Sequence, residues 1–361
     1  MGHLVKIHKK GIEKLISSGQ YSIKANLKDL WIKTAADIFS DALCMRRGDY
    51  LFPWIIHDKE TGDPNEGFNY IFKIKDGPYF EKGDDAPVKI ILEDKGWRYK
   101  YPLTEDKALD LFSDKILWNM IGFKSAGRGK AITHQNLEED NLLIQKLENI
   151  TGQTKSEIQI NKIDNSHLTK ISTNNLKSFS EEEDKRIKSI SKKSERLGSI
   201  DLNNFPYVKD NYFTYEKCLE AWLMENLDKD EVKNLIVGKD SKINWFGNYI
   251  FYGVQGSNID IVVDANVKEN RVINVIELKV DKLSTKNLID AITQLKDYEI
   301  FLINAYKSYK IDVNCQKILI CQSLTKSSLV DKEVKDILDK EKIKLFFYEI
   351  SNTNCKLKKF L

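Results

Sequence analysis

Gly256-Ser-Asn-Ile-Asp260-Ile-Val-Val, a short polar turn, and then Val272-Ile-Asn-Val-Ile-Glu277-Leu-Lys279 form the stretch around which the chain is organised. Two apolar, β-branched runs flank the Asn- and Lys-containing segment from Ala265 to Asn270, so they read as adjacent strands of a hairpin. Side chains alternate along a strand, which puts Ile273, Val275, Glu277 and Lys279 on one face with the charges at its end. Asp260 interrupts the neighbouring run. If the register sets Asp260 beside Glu277, two carboxylates and an ammonium converge at the edge of an apolar sheet. Such a pair repels itself unless a cation lies between, and hard oxygen ligands with room for water suit Mg²⁺.

Glu-x-Lys by itself says little, since it recurs at Glu93, Glu105, Glu183 and Glu333. Only the Glu277 copy ends an apolar strand and follows a second strand that carries an aspartate. The flanks add to it. Tyr215 to Leu227 spaces Leu219, Trp222, Leu223 and Leu227 along one side of a helix. Asn287 to Leu302 reads as a second amphipathic helix, with Ala291, Gln294, Tyr298 and Phe301 on one stripe.

Asp on one strand and Glu-x-Lys on the next resembles the PD-(D/E)xK nuclease superfamily. With Leu-Glu-x-x-Leu on the helix before and Ala-Ile-x-Gln-Leu-x-x-Tyr on the helix after, the order is similar to the mismatch- and branch-cleaving endonucleases of archaea and actinobacteria, and to restriction enzymes of the same superfold. The resemblance spans about Phe205 to Phe347. It implies that Asp260, Glu277 and the main-chain carbonyl of Leu278 hold Mg²⁺ or Mn²⁺, and that Lys279 orients or activates water. It also implies that Glu220 is an outer carboxylate and that Gln294 and Tyr298 support the site. No proline precedes the aspartate, where the superfamily's name has one.

The size of the chain, 361 residues, suits two domains, and 41% hydrophobic residues suffice for ordinary cores. No apolar run approaches the roughly 20 residues that cross a bilayer, and the N-terminus lacks a signal peptide's apolar segment, so a cytoplasmic, membrane-free protein is expected. Five scattered cysteines without metal-ligand spacing read as free thiols and make a zinc site an unfavoured reading. With 57 Lys and Arg against 54 Asp and Glu, the net charge is only +3. Attraction to DNA must therefore come from local clustering.

The N-terminal half reads as a short helix within Lys6–Tyr21, a fuller helix over Leu27–Leu43, and a basic turn Met45-Arg-Arg-Gly-Asp-Tyr50 feeding a strand. Further strands are expected at Phe68–Ile74, Val88–Leu92 and Trp97–Tyr101, then a helix over Glu105–Ile121, the turn Phe123–Lys130, and a capped helix from Asn136 to about Ile150. This order resembles the EVE and YTH branch of the PUA-like domains, which bind modified bases. The resemblance implies an aromatic pocket for an extruded base among Trp54, Phe68, Tyr70, Trp97 and Tyr99, with phosphate contacts from Lys124, Arg128 and Lys130. The plain alternative is that these aromatics pack a core and that the basic turn is solvated.

The expected architecture is thus α/β and α+β: a small PUA-like barrel over residues 1–150, a charged and partly helical linker over 151–204, and a restriction-endonuclease-like mixed sheet flanked by helices over 205–361. The expected activity is Mg²⁺- or Mn²⁺-dependent hydrolysis of DNA phosphodiester bonds, of restriction type with a base-reading N-terminal domain. A second copy of the chain would serve double-strand cleavage. Mismatch or branch repair is the alternative enzyme role, and a non-catalytic nucleic-acid binder or a modified-RNA reader is the alternative without catalysis.

Overall fold

The computed structural model describes residues 1–23, 40–56, 67–81, 84, 86, 88–104, 107, 132–135, 137–151, 155–162, 164–171, 208–252, 257–325, 332–351 and 354–360. Its elements in the first half are β1 (Gly2–Ile7), α1 (Lys9–Ser18), β2 (Gln20–Ile23), β3 (Tyr50–Ile55), β4 (Gly67–Phe80), β5 (Val88–Leu92), β6 (Lys95–Leu103), β7 (Ile132–Gln135), α2 (Leu137–Thr151), β8 (Lys155–Gln159) and β9 (Thr169–Lys170). These strands make one branched sheet in the order β2-β5-β4-β3-β1-β7, with β6 and β9 also pairing with β4, and β8 with β6. Only the β1–β3 pairing is parallel among them. β1, β2 and β7 have too little alternation to be seen in the sequence. His3 explains part of why β1 is nevertheless held between β3 and β7: buried completely, its ring nitrogens lie 2.8 Å from His134 Nδ1 on β7 and 3.0 Å from Asp49 Oδ2 before β3.

The second half carries β10 (Val208–Lys209), β11 (Tyr212–Phe213), α3 (Glu216–Asn226), α4 (Asp230–Ile236), β12 (Ser241–Tyr252), β13 (Ser257–Val267), β14 (Asn270–Leu283), α5 (Thr285–Ser308), β15 (Asn314–Leu324), α6 (Lys332–Lys340), β16 (Ile343–Ser351) and β17 (Asn354–Lys359). Its sheet runs β12 through β17 in sequence order. β14, β15 and β16 are parallel neighbours and the outer pairings are antiparallel, which is a mixed sheet. The hairpin expected from the sequence is β13–β14. α5 starts where the Ser284 hydroxyl caps the Asn287 N–H, and it buries Leu288, Ala291, Ile292, Leu295, Tyr298, Leu302 and Tyr306. α5 covers one face of the sheet, with Ile273, Val275 and Leu319 beneath it. α3 lies over the other face, against Ile261, Val263, Ile276 and Leu278.

That second core does not stop at the C-terminal half. Ala42, Leu43, Cys44 and Met45 belong to the same apolar cluster as Leu219, Trp222 and Leu223 of α3. Polar contacts close the seam elsewhere. Arg271 on β14 reaches Glu138 on α2 at 2.7 Å and Asp264 on β13 at 2.5 Å. Asp264, fully buried, also accepts the Tyr306 hydroxyl at 2.8 Å and the Asn244 amide at 2.9 Å.

Several expectations change on this evidence. Parts of the segment expected as a linker, Lys155–Gln159 and Thr169–Lys170, pair with β6 and β4 as β8 and β9, with Ile158 and Ile160 as apolar anchors against the sheet. Residues 172–207 lie outside the described residues, as do the expected helix Glu105–Ile121 apart from Lys107, the turn Phe123–Lys130, and most of Leu27–Leu43, of which residues 40–43 are helical. No helix among the described residues is long and apolar enough to cross a membrane.

The Arg271 contact yields a test. Arg271→Met removes the one guanidinium that faces Asp264 and Glu138, leaving a buried carboxylate short of its cation. A loss of about 3 kcal/mol in urea unfolding is expected; a loss below about 1 kcal/mol would show that the seam does not depend on this contact.

Candidate active site

The ladder between β13 and β14 ends with Ile261 opposite Ile276, and the next step of that register sets Asp260 abreast of Glu277. This is the juxtaposition that the sequence left conditional. The Leu278 N–H donates to Asp260 Oδ2 at 2.8 Å, so the aspartate is fixed to the strand that carries its neighbour. Glu277, only 2% exposed, takes the Lys279 ammonium on Oε1, and the Tyr298 hydroxyl lies 3.1 Å from Oε2. The same hydroxyl is 3.2 Å from the Asn258 carbonyl, which ties α5 to both strands.

The alternation of β13 slips by one residue at Asp260. Ile261 faces the core under α3, whereas Ile259 faces the core under α5, although two residues apart should share a face. β12 slips at the same level: Phe246 lies under α3 and Ile250 under α5, with Tyr249 between them at φ 53°. A left-handed tyrosine is a strained backbone that the surroundings must hold, and irregularities of this kind gather where a strand has to re-aim a side chain. Tyr249 falls opposite Asp260, between the pairs Asn248–Ile261 and Ile250–Ile259.

α3 brings two more carboxylates. Glu216 and Glu220 are one turn apart on one helix face. Glu216 lies 3.7 Å from the Lys279 ammonium. Glu220, 1% exposed, accepts from Lys217 Nζ at 2.5 Å and from Asn248 Nδ2 at 2.6 Å, and takes the Ser40 hydroxyl on Oε1. Four carboxylates thus share a half-buried site with two ammonium groups.

The electrostatics follow from that ratio. Burial, then the negative charge of Asp260, pushes Glu277 up to about 8. Burial and Asp260 likewise push Glu216 up to about 7. Asp260 is raised by burial, with the Leu278 N–H opposing. Burial lowers Lys279, but Glu277 and Glu216 outweigh it and hold the ammonium above its ordinary value. These groups compete for protons because they lack positive charge, and a divalent cation relieves the same deficit.

Among the described residues, no three His, Cys, Asp or Glu side chains are grouped to enclose a metal ion by themselves. A donor set of Asp260, Glu277 and the Leu278 carbonyl suits Mg²⁺, which keeps several waters and takes one or two carboxylates, better than it suits a metal that needs a full side-chain cage.

Of the residues singled out in the sequence, Asp260, Glu277, Lys279, Glu220 and Tyr298 come together. Gln294 does not. It is exposed on α5, at the margin of the buried stripe centred on Ala291, Leu295, Tyr298 and Leu302. In the N-terminal half, Trp54 and Phe68 meet edge to face at 4.7 Å inside a core with Tyr99, and Trp97 packs against it. Tyr70 is buried in the other core, with Arg98 over its ring. The rings expected to line an open base pocket are therefore packing residues, as the plain alternative held. Lys124, Arg128 and Lys130 lie outside the described residues. Glu216 was legible as the i−4 partner of Glu220 but was not singled out. Asn248 and Ser40 had no local signal, because only the tertiary fold brings β12 and residues 40–44 to α3.

No protein-family model and no curated protein matches the chain. Among solved structures it is similar to a repair endonuclease from Pyrococcus abyssi, at 20% identity over 40% of this chain and 50% of that one, with a TM-score of 0.25. It is similar to EndoMS in its apo form at 19% identity over 38% and 48% of the two chains, with a TM-score of 0.24. An XisH family protein from Nostoc punctiforme matches at 11% identity over 33% and 88%, with a TM-score of 0.22. The chain spans about half the length of the two endonucleases. Likeness at this level carries no argument, and the site is read from its own geometry.

Proposed function

We propose that the chain is a metal-dependent endonuclease that hydrolyses DNA phosphodiester bonds at the edge of β13 and β14. The observation that carries this reading is the convergence of Asp260, Glu277 and Lys279 on two adjacent strands, with Glu216 and Glu220 above them. Mg²⁺ or Mn²⁺ held by Asp260, Glu277 and the Leu278 carbonyl would supply a Lewis acid for the scissile phosphate and a bound water of lowered pKa.

The chain's own groups do the rest. Lys279, kept charged by Glu277 and Glu216, presents an ammonium to the attacking water and to the anionic phosphorus centre as charge builds on its oxygens. Tyr298 and Lys279 hold the two oxygens of Glu277, so its carboxylate does not rotate away when the substrate arrives. Glu216 titrates near neutrality and sits half-exposed beside Lys279, which fits it to hold or release a proton during attack or departure of the leaving oxygen.

The finer reading, a restriction-type enzyme with a base-reading N-terminal domain, draws its support from the element order of the first half. The burial of Trp54, Phe68, Tyr70 and Tyr99 weighs against a pocket built from those rings. Mismatch or branch repair stays the alternative role.

Supercoiled plasmid incubated with Mg²⁺ or Mn²⁺ should be nicked or linearised, and EDTA should stop it. Asp260→Ala and Glu277→Ala should each abolish cutting while the melting temperature stays near that of the parent. Undiminished cutting by both variants, in preparations free of other nucleases, would sink the assignment.

For Lys279→Ala, the rate should fall by roughly 100-fold or more, the scale seen when one preorganised charge-stabilising donor is lost. DNA affinity should change little, because one ammonium adds only one phosphate contact. Normal turnover with collapsed binding would place Lys279 outside the chemistry.

Glu277 also makes stability depend on pH. Its folded pKa, about 8, lies above the unfolded value near 4.5, so the native state binds the extra proton between those limits and stability falls as pH rises through them. In the absence of metal, wild type should lose stability relative to Glu277→Gln between pH 5 and pH 8, by roughly 3 °C or more in melting temperature. Millimolar Mn²⁺ should restore wild type at pH 8, have little effect at pH 5, and leave Glu277→Gln unchanged. Parallel pH profiles for the two proteins would show that this carboxyl does not carry the strain.

A further inference from the structure

Ser40, Asp41 and Cys44 belong to the N-terminal half by sequence and to the active site by position. Asn248 Nδ2 lies 3.0 Å from Ser40 Oγ, 3.1 Å from Asp41 Oδ1 and 2.6 Å from Glu220 Oε1. The Cys44 thiol donates to Asn248 Oδ1 at 3.2 Å. Ser40 also donates directly to Glu220 Oε1. Ser40 and Cys44 are fully buried, and Asn248 and Glu220 are 1% exposed. This is a buried polar bridge, one helical turn against β12 and α3.

Arg46 clamps the same segment to α3. Its guanidinium donates to the Met224 carbonyl at 2.6 Å, pairs with Asp228 at 3.3 Å and lies 5.0 Å over the Phe246 ring. Residues 40–46 are therefore seated on the C-terminal half along both α3 and β12.

We propose that Ser40 and Asp41 are positioning residues for the active site, holding Glu220 directly and through Asn248, so that the N-terminal half completes the acidic cluster rather than serving only as a tethered reader. The proposal rests on the nuclease reading above. The physical reason is the state of Glu220. A buried carboxylate needs donors on both oxygens, and Lys217 serves only Oε2. Oε1 depends on Asn248 and Ser40. Without the hydroxyl, Oε1 keeps only the Asn248 amide, which itself loses its contact with Ser40, so the carboxylate is held from one side and the negative charge it projects onto Asp260 and Glu216 shifts with it. Asn248 has a second role by place in the chain. It precedes Tyr249, whose left-handed backbone stands opposite Asp260, so anchoring Asn248 fixes the level at which both strands slip.

The test uses the full chain. Ser40→Ala should lower kcat for plasmid cleavage by about 10- to 100-fold, the cost typical of removing a group that orients a metal site from behind. KM for the plasmid should not change, and Ser40→Thr, which keeps the hydroxyl, should recover most of the rate. A purely structural serine would lower the folded fraction but leave kcat per folded molecule intact, which would overturn the proposal. The bridge is also read without turnover, in a urea-unfolding cycle of Ser40→Ala against Glu220→Gln. The double variant should fall short of the product of the two single effects on the unfolding constant by about tenfold. Strictly multiplicative effects would overturn it too. Failure of wild type to cut DNA or to bind Mn²⁺ in calorimetry would instead overturn the nuclease reading, and the cycle tells that failure apart from failure of the bridge.

Discussion

Crowding of negative charge at the end of one hairpin is the constraint on which the rest of the structure turns. Asp260 and Glu277 are abreast because the β13–β14 ladder has a fixed register, and Glu216 and Glu220 face them because α3 lies across that end of the sheet. Such an arrangement costs free energy at neutral pH, since burial and like charge both disfavour the ionised forms. Lys279 and Lys217 offset part of it, and the titration of Glu277 and Glu216 far above their ordinary range shows that the offset is incomplete. Carboxylates raised by burial and like charge gather at functional sites, and this is the ground on which the metal-dependent reading is proposed.

Holding the cluster takes more than the hairpin. Tyr298 from α5, the Leu278 N–H from within β14, and Asn248 from β12 each fix one carboxylate, so three sides of the site come from elements that are packed for other reasons. The fourth side is the turn at residues 40–44. Because Ala42, Leu43 and Met45 share a core with α3, the same residues that bury apolar surface carry Ser40 and Asp41 to Glu220. Arg271 does the equivalent on the far side, joining Glu138 to Asp264. Together with Arg46, which pairs with Asp228 and the Met224 carbonyl, these polar contacts join the two halves around shared apolar packing.

This changes how the first half is understood. Its aromatic residues looked like candidates for stacking on a base, yet Trp54, Phe68 and Tyr99 fill a core between the sheet and α2. An aromatic in a strand is equally good at either task, and the sequence pattern does not separate them. Burial does. Gln294 departs from the expected buried stripe in the same way, since a polar residue at the margin of a helix face reads as buried until the packed face is known.

What the sequence determined by itself was local and periodic: the β13–β14 hairpin, the helices α3 and α5, the strands β15 and β16, and the placing of Glu277 and Lys279 on one face of β14, with the register that sets Asp260 beside Glu277 left to the fold. Alternation and helical spacing are properties of short windows, so a single chain displays them without its fold. The tertiary structure alone decided that β1 lies inside the sheet between β3 and β7, that Lys155–Gln159 and Thr169–Lys170 are strands rather than linker, that Asn248 and Ser40 meet Glu220, and that Arg271 bridges the halves. Each of these rests on a contact between residues far apart in sequence, up to 208 positions for Ser40 and Asn248. Nothing in a local window encodes such a contact, because its free energy exists only when the intervening chain has closed around it.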